Sequence, residues 1–288
     1  QSEFGCNWNP SLFVPIADNY ESGYYIIDLN DDYGNHFSFP IILSDVNTIA
    51  SPSDIAILAP TSTWTAYNQW GGKSLYHNSI DSTNVYYVSN MRPDSQLKRK
   101  EKNRDDVVVE ANIYNWLNDN YNVKIFSDNI LDIHPQILDS TSIILLSYHC
   151  EYISRKTYDQ LIDLVHEKGK SIISLGANQI YWKVKWDEKF TIMECRKDLT
   201  FFNNSLDFGG MWRHNFMSEE MLLGVRYSKS GLHTFAPYKI LKPEHWLFKN
   251  ADIPVDSIFG KSGTGSNSRS RTVCSRLSGV EEFTPLDF

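Results

Sequence analysis

From about residue 53 the chain alternates short, wholly apolar runs with stretches of helical period, and this alternation restricts what it can fold into. Ile55-Ala56-Ile57-Leu58-Ala59 is a continuous apolar run of strand length, as expected of a strand covered on both faces of a parallel sheet. Asp106 to Asn118 places Val109, Ile113, Trp116 and Leu117 on one helical stripe, and Val123-Lys124-Ile125-Phe126 follows as a strand. Ser142 to Ser147 is another buried strand. The next helix sets Tyr158, Leu161, Ile162 and Val165 at i, i+3, i+4 and i+7, with Ser154 as N-cap and Gly169 as its stop. Ser171 to Leu175 gives a further strand. Strand and helix in strict alternation predict an α/β fold with a doubly wound, mostly parallel sheet over residues 51–288. Residues 1–50 read instead as a β-rich opening segment, in which Tyr24 to Ile27 and the alternating Phe37, Phe39 and Ile41 form a hairpin.

The net charge of -8 argues against nucleic acid or an anionic membrane as the main partner. Apolar runs such as Ile143 to Leu146 are far too short to span a bilayer. Cys6, Cys150, Cys195 and Cys274 form no CxxC pair, which disfavours a zinc knuckle and leaves disulfide pairing and compartment open. The chain begins at Gln1 without a signal or transit pattern and reads as a processed product or a fragment. Lys98 to Arg104 reads as a solvated charged loop and Gly263 to Arg271 as a flexible one.

Ligands of open α/β sheets bind beyond the carboxyl ends of the strands, which selects three segments here. They are Thr61 to Tyr76, Tyr148 to Ser154 and Gly176 to Trp182. In the second, His149 and Glu151 are two residues apart, so an extended backbone points both to one side. An imidazole and a carboxylate aimed at one cavity suit metal ligation or base catalysis, and equally suit a helix cap that binds nothing. The first segment carries Gly71-Gly72, which permits a tight turn, but lacks the spacing of a phosphate loop. It also reads as a structured aromatic loop.

Together the segments resemble the large (β) subunit of N,N-dimethylformamidase and its relatives, in their C-terminal α/β domain. Thr63 to Tyr76 follows the family's Thr-Trp-x-Ala-Tyr-Asn-x-Trp-Gly-Gly-x-Ser-Leu-Tyr. Tyr148-His149-Cys150-Glu151-Tyr152-Ile153-Ser154 is similar to its Gly-His-Asp-Glu-Tyr-Trp-Ser, and Gly176 to Val184 to its Gly-Ala-Asn-x-x-Tyr-Trp-x-Val. Val14-Pro15 with Ser22 to Tyr25, His245 to Phe248, and Gly279 to Glu281 are weaker echoes.

The resemblance implies a fold related to class I glutamine amidotransferases and a metal-dependent amidohydrolase acting on small substituted amides. It implies a mononuclear ferric ion held by Tyr25, Tyr67 and Glu151, hard oxygen donors for a hard cation. His149 is then the general base, Asn178 a hydrogen-bond donor to the carbonyl oxygen, and Lys197 and Glu281 outer members of the site, with Trp70 and Tyr181 as shields. The expected partner is a small amide; the family also allows a homo-oligomer or a small partner subunit. Tyr148, Cys150 and Ile153 depart from the family's Gly, Asp and Trp. Two rival readings follow. Cys150 is placed after a strand and before a helix, as a nucleophile of an amidohydrolase would be. The altered motif also fits a non-catalytic binding module that keeps the fold.

Overall fold

The protein is described by a computed structural model over residues 1–17, 19–45, 52–94, 106–176, 178–226, 238–240, 242–250, 253–254 and 256–259. Strands β1 (Gly23–Asn30) and β2 (His36–Leu43) form the expected hairpin, antiparallel with Gly23 opposite Leu43 and Asn30 opposite His36. The Asp31 carboxylate ties the turn by accepting from the backbone N–H groups of Tyr33 and Asn35 at 2.9 and 2.8 Å.

The chain then runs through β3 (Ser53–Ala59), α1 (Thr61–Tyr67), β4 (Tyr87–Ser89), α2 (Asp106–Asn118), β5 (Val123–Ser127), α3 (Ile130–Ile133) and β6 (Thr141–Leu146). It continues with β7 (Tyr152–Ser154), α4 (Arg155–Ile162), β8 (Ser171–Ser174), β9 (Trp182–Trp186), β10 (Ile192–Cys195) and α5 (Glu220–Leu223). Four strands make a parallel sheet in the order β5-β3-β6-β8. Successive side chains leave on opposite faces, and the central strands β3 and β6 are covered on both, which is why they read as apolar runs, whereas the edge strand β8 is largely exposed. Ala56, Leu58, Phe126, Ile144 and Leu146 pack on one face against Leu131, Tyr158, Leu161 and Leu222. Ile55, Ile57, Ile125 and Leu145 pack on the other against Tyr114 and Leu117 of α2 and Tyr24 and Ile42 of the hairpin. Each such aliphatic side chain contributes about 1.5–3 kcal/mol by leaving water.

Helix α4 follows its sequence signals. The Ser154 hydroxyl accepts from the Thr157 N–H at 3.1 Å, Tyr158 and Leu161 are buried, and the chain turns out at Gly169 with φ +66°. Its last turn, Asp163–Glu167, widens to π geometry. Helix α2 occupies the expected span, but its buried face is rotated. Val107, Glu110, Tyr114 and Leu117 are buried, whereas Val109 is 40% and Trp116 65% exposed. The cause is Glu110, whose carboxylate accepts from the Tyr24 hydroxyl and the Trp64 indole N–H, both at 3.3 Å. A partnered carboxylate thus takes a core position that hydrophobicity alone assigns to its neighbours.

A second four-stranded sheet, β4-β10-β9-β7, was not expected; it is antiparallel except for the β7–β9 pair. The mostly parallel sheet is therefore one part of a mixed α/β fold. Among the described residues no helix is long and apolar enough to cross a membrane. Cys6, Cys150 and Cys195 are free thiols; Cys274, Lys98 to Arg104, Gly263 to Arg271 and Gly279 to Glu281 lie outside the described residues.

The rotated α2 face makes a direct prediction. Trp116→Ala changes unfolding free energy by about 0.5 kcal/mol or less, as an exposed substitution does. Tyr114→Ala costs about 3 kcal/mol or more, because it opens a cavity and removes the 2.5 Å bond from its hydroxyl to the Ser22 carbonyl. Urea denaturation of the two variants checks the order, and a larger loss for Trp116→Ala would contradict the packing.

Candidate active site

The site begins where β3 passes through Pro60 into α1. The start of this helix is capped from a distant strand end. The buried Asp128 carboxylate accepts from the Thr61 hydroxyl at 2.9 Å, the Ser62 hydroxyl at 2.8 Å and the Ser62 N–H at 3.1 Å. Burial pushes the Asp128 carboxyl up to about 7 against the pull of those bonds, with Asp132 adding to the rise. The helix ends at Tyr67. The chain then turns through Gly71 and Gly72, at φ +81° and +87°, a conformation that disfavours any side chain there. Arg92 fixes the returning loop. Its guanidinium, 6% exposed, donates to the carbonyls of Ser89, Trp70, Lys73 and Thr65 at 2.8, 2.7, 2.9 and 3.2 Å.

The loop brings Tyr67 and Tyr76 face to face, ring centroids 4.4 Å apart, over one buried carboxylate. The Tyr67 hydroxyl donates to Glu151 Oε2 at 2.8 Å and the Tyr76 hydroxyl to Oε1 at 2.5 Å. His149 Nε2 lies 3.2 Å from Oε2, and its side chain is 25% exposed while that of Glu151 is 2% exposed. Burial is the largest influence on the Glu151 carboxyl and pushes it up. The contacts from His149, Tyr76 and Tyr67 together outweigh burial and hold it below its ordinary range. Tyr76 as a whole is 49% exposed, but its hydroxyl end is sunk against the buried carboxylate, and desolvation of that end first, and the Glu151 charge second, raise the phenol. Lys197 Nζ lies 3.5 Å from the Tyr76 ring centroid and donates to the Leu75 carbonyl at 3.1 Å. Its pKa is lowered by burial, in opposition to Cys195 and Glu151.

Backbone bonds lock the three segments together. The Glu151 N–H donates to Thr63 Oγ1 at 3.0 Å, and its carbonyl accepts from the Tyr181 and Trp182 N–H groups at 2.9 and 2.8 Å. The Cys150 N–H donates to Gln179 Oε1 at 2.7 Å. Gly176 has no room for a side chain: a Cβ there would sit 1.4 Å from the Tyr148 carbonyl oxygen. Among the described residues no group of three His, Cys, Asp or Glu side chains is placed to hold a metal; the convergent oxygen donors are one carboxylate and two phenols.

This carboxylate-and-phenol cluster lies on two of the three motif-bearing segments, with the third tied to it through the backbone, and a family model described as N,N-dimethylformamidase beta subunit-like, C-terminal, matches residues 1–274. The chain belongs to this family. No curated protein matches it.

Of the residues that resemblance to the dimethylformamidase family singles out, Glu151, Tyr67 and His149 are assembled by the structure, with Lys197 against them. Tyr25 is not among the hydrogen-bond partners of Glu151. Neighbouring strand residues point to opposite faces, and Tyr24 takes the core side of β1. The Tyr25 hydroxyl accordingly donates to the Glu21 carbonyl at 2.8 Å, and Tyr76 supplies the second phenol at Glu151. Asn178 has φ +56° and a buried Oδ1 without a partner, and makes no hydrogen bond to the Glu151 cluster. Glu281 lies outside the described residues. Trp70 packs edge-on against Trp8 and Tyr181 against Trp182.

The departures from the family pattern have distinct consequences. Tyr148 stands at φ +28°, where the family's glycine would be unstrained. Cys150 and Ile153 are buried in the core beside α4. The Cys150 thiol donates to the carbonyls of Leu58 and Ser147 at 3.3 and 3.4 Å, and burial pushes its pKa well up. His149 pairs with Glu151. A thiol so placed lacks the exposure and activation that a nucleophile needs. Arg92 was missed at the sequence level, because nothing in Asn90-Met91-Arg92-Pro93 distinguishes it from a surface arginine.

Asp128 makes the capping of α1 sensitive to pH. Its folded pKa of about 7 lies above the ordinary 3.8, so the folded state holds the proton more tightly. Its contribution to stability is full below about 3.8 and is lost as pH rises towards 7. Asp128→Asn removes this loss, so the variant gains on the wild type between pH 4 and pH 7 and the difference levels off above. Melting curves of both proteins across that range check the slope; parallel profiles would contradict it.

Proposed function

We propose that this protein hydrolyses the carbon–nitrogen bond of small substituted amides of the dimethylformamide class at the Glu151 centre. The observation that carries the reading is a buried carboxylate bound by two stacked phenols and an imidazole, in a chain of the dimethylformamidase-like family. The reading includes a fold related to class I glutamine amidotransferases. It is supported by four parallel strands with the polar cluster on the segments that follow β3 and β6.

Ferric iron is the group that the resemblance implies, and the residues present fit it. Tyr67, Tyr76 and Glu151 would hold it through three hard oxygen donors on adjoining segments, with Tyr76 in the role first expected of Tyr25. Bound there, such an ion supplies a Lewis acid that polarises a carbonyl and acidifies water. The chain's own residues do the rest. The His149 imidazole, a quarter exposed at the edge of the cluster, takes the proton of the attacking water. Glu151, at 3.2 Å, steadies the imidazolium that forms, and the same proton passes to the departing amine. The products are a carboxylic acid and an amine. Asn178, whose buried carbonyl oxygen lacks a partner, is a further hydrogen-bonding group for the substrate. The rings of Tyr67 and the fully buried Tyr152 cover the carboxylate from within, and the half-exposed Tyr76 ring covers its outer side.

Elemental analysis and a visible spectrum of the purified protein test the metal. About one iron per chain and a phenolate charge-transfer band are expected, with the band lost in Tyr67→Phe, Tyr76→Phe and Glu151→Ala. Amine release from a panel of formamides and acetamides tests the reaction, and His149→Ala lowers it about 10²-fold or more. A protein that stays colourless after iron loading followed by exposure to air and cleaves no amide would be a binding module on this fold.

A further inference from the structure

Tyr152 on β7 stands directly across from Trp182 on β9, so the two side chains leave the second sheet on one face. Tyr152 is fully buried, and its ring meets Tyr67 and Tyr76 edge-on with centroids 6.5 and 6.4 Å apart. Among the described residues its hydroxyl completes no hydrogen bond, although it is near enough to the Tyr76 phenol to favour that group's charged form, and the buried indole N–H of Trp182 has no partner. The Lys197 ammonium lies 5.5 Å from the Tyr152 ring and 4.9 Å from the Trp182 ring. It gives one hydrogen to the Leu75 carbonyl. The Tyr152 hydroxyl and the Trp182 N–H therefore lack a protein acceptor beside the Glu151 cluster, and buried donors in native proteins are matched by one. A full anion is disfavoured so close to the Glu151 charge. A neutral carbonyl oxygen enters without that repulsion, and the Lys197 ammonium beside the site offsets the charge it acquires during reaction.

We propose that Tyr152, Trp182 and Lys197 form the subsite for the substrate's carbonyl oxygen. This rests on the amide-hydrolase reading and adds to it the group that receives the developing charge. When the water oxygen bonds to the carbonyl carbon, the carbonyl π pair moves onto oxygen, where the three donors hold it. His149 takes the water proton. As the pair returns, the carbon–nitrogen bond breaks and the amine leaves with that proton.

Tyr152→Phe and Trp182→Phe each delete one donor and keep an aromatic ring. Each is expected to lower kcat about 10- to 100-fold with little change in KM and an unchanged melting temperature, which a packing defect would not give. A second readout needs no turnover: the ¹⁵N indole resonance of Trp182, identified by its absence in Trp182→Phe, shifts on adding formamide and stays in place with methylamine. Wild-type kcat in both variants, or an indole unmoved at saturating formamide in an active enzyme, overturns the subsite and leaves the hydrolase reading standing. An inert protein whose indole shifts keeps the subsite and overturns the hydrolase. An inert protein with an unmoved indole overturns both.

Discussion

Glu151 is almost wholly removed from water, and an ionised carboxylate in that position costs several kcal/mol unless its oxygens are met by donors. Here both oxygens are met: Oε1 by Tyr76, and Oε2 by Tyr67 and His149. Each partner arrives by a separate structural device. Tyr67 comes at the end of a helix capped by Asp128, and Tyr76 on a loop turned by two glycines and gripped by Arg92. His149 comes on the same strand exit as the carboxylate itself. The parallel sheet contributes by ending β3, β6 and β8 beside one another, so that short polar segments meet there.

Much of this was legible because the two central strands of the parallel sheet are buried on both faces. Ile55 to Ala59 and Ile143 to Leu146 have no polar position to confuse the reading, and the loops beyond them stand out as polar. His149 and Glu151 were paired by their two-residue spacing alone, and Tyr67 by its motif. Ser154 and Gly169 marked the ends of α4 and its final turn through local chemistry that needs no knowledge of the fold.

What failed to show was set by partners distant in sequence. Glu110 belongs to the core only because Tyr24 and Trp64 meet it, 86 and 46 residues away, and its burial turns Trp116 outward. Tyr24 and Tyr25 are equivalent to any pattern, and only the packing of β1 decides which faces inward. Tyr76 was visible as a neighbour of the site, but that its hydroxyl meets Glu151 is decided across 75 residues. The second sheet is built of strands three to five residues long, too short for a period of two to register. Cys150 sits where a nucleophile would, but the fold aims its thiol into the core at backbone carbonyls.

The grip of Arg92 has a consequence for conditions far from neutrality. All four oxygens that it holds are peptide carbonyls, which carry no proton to gain in mild acid. Ion pairs such as Lys73 with Glu3 and Asp81 weaken when their carboxylates discharge or when salt screens them. The arginine's hold on the turn persists through both changes, since a guanidinium stays charged and its acceptors are fixed dipoles. The aromatic loop is thus moored to the body of the protein by a fastening that neither acidity nor ionic strength readily undoes, even where the surface around it has lost its charge pairs.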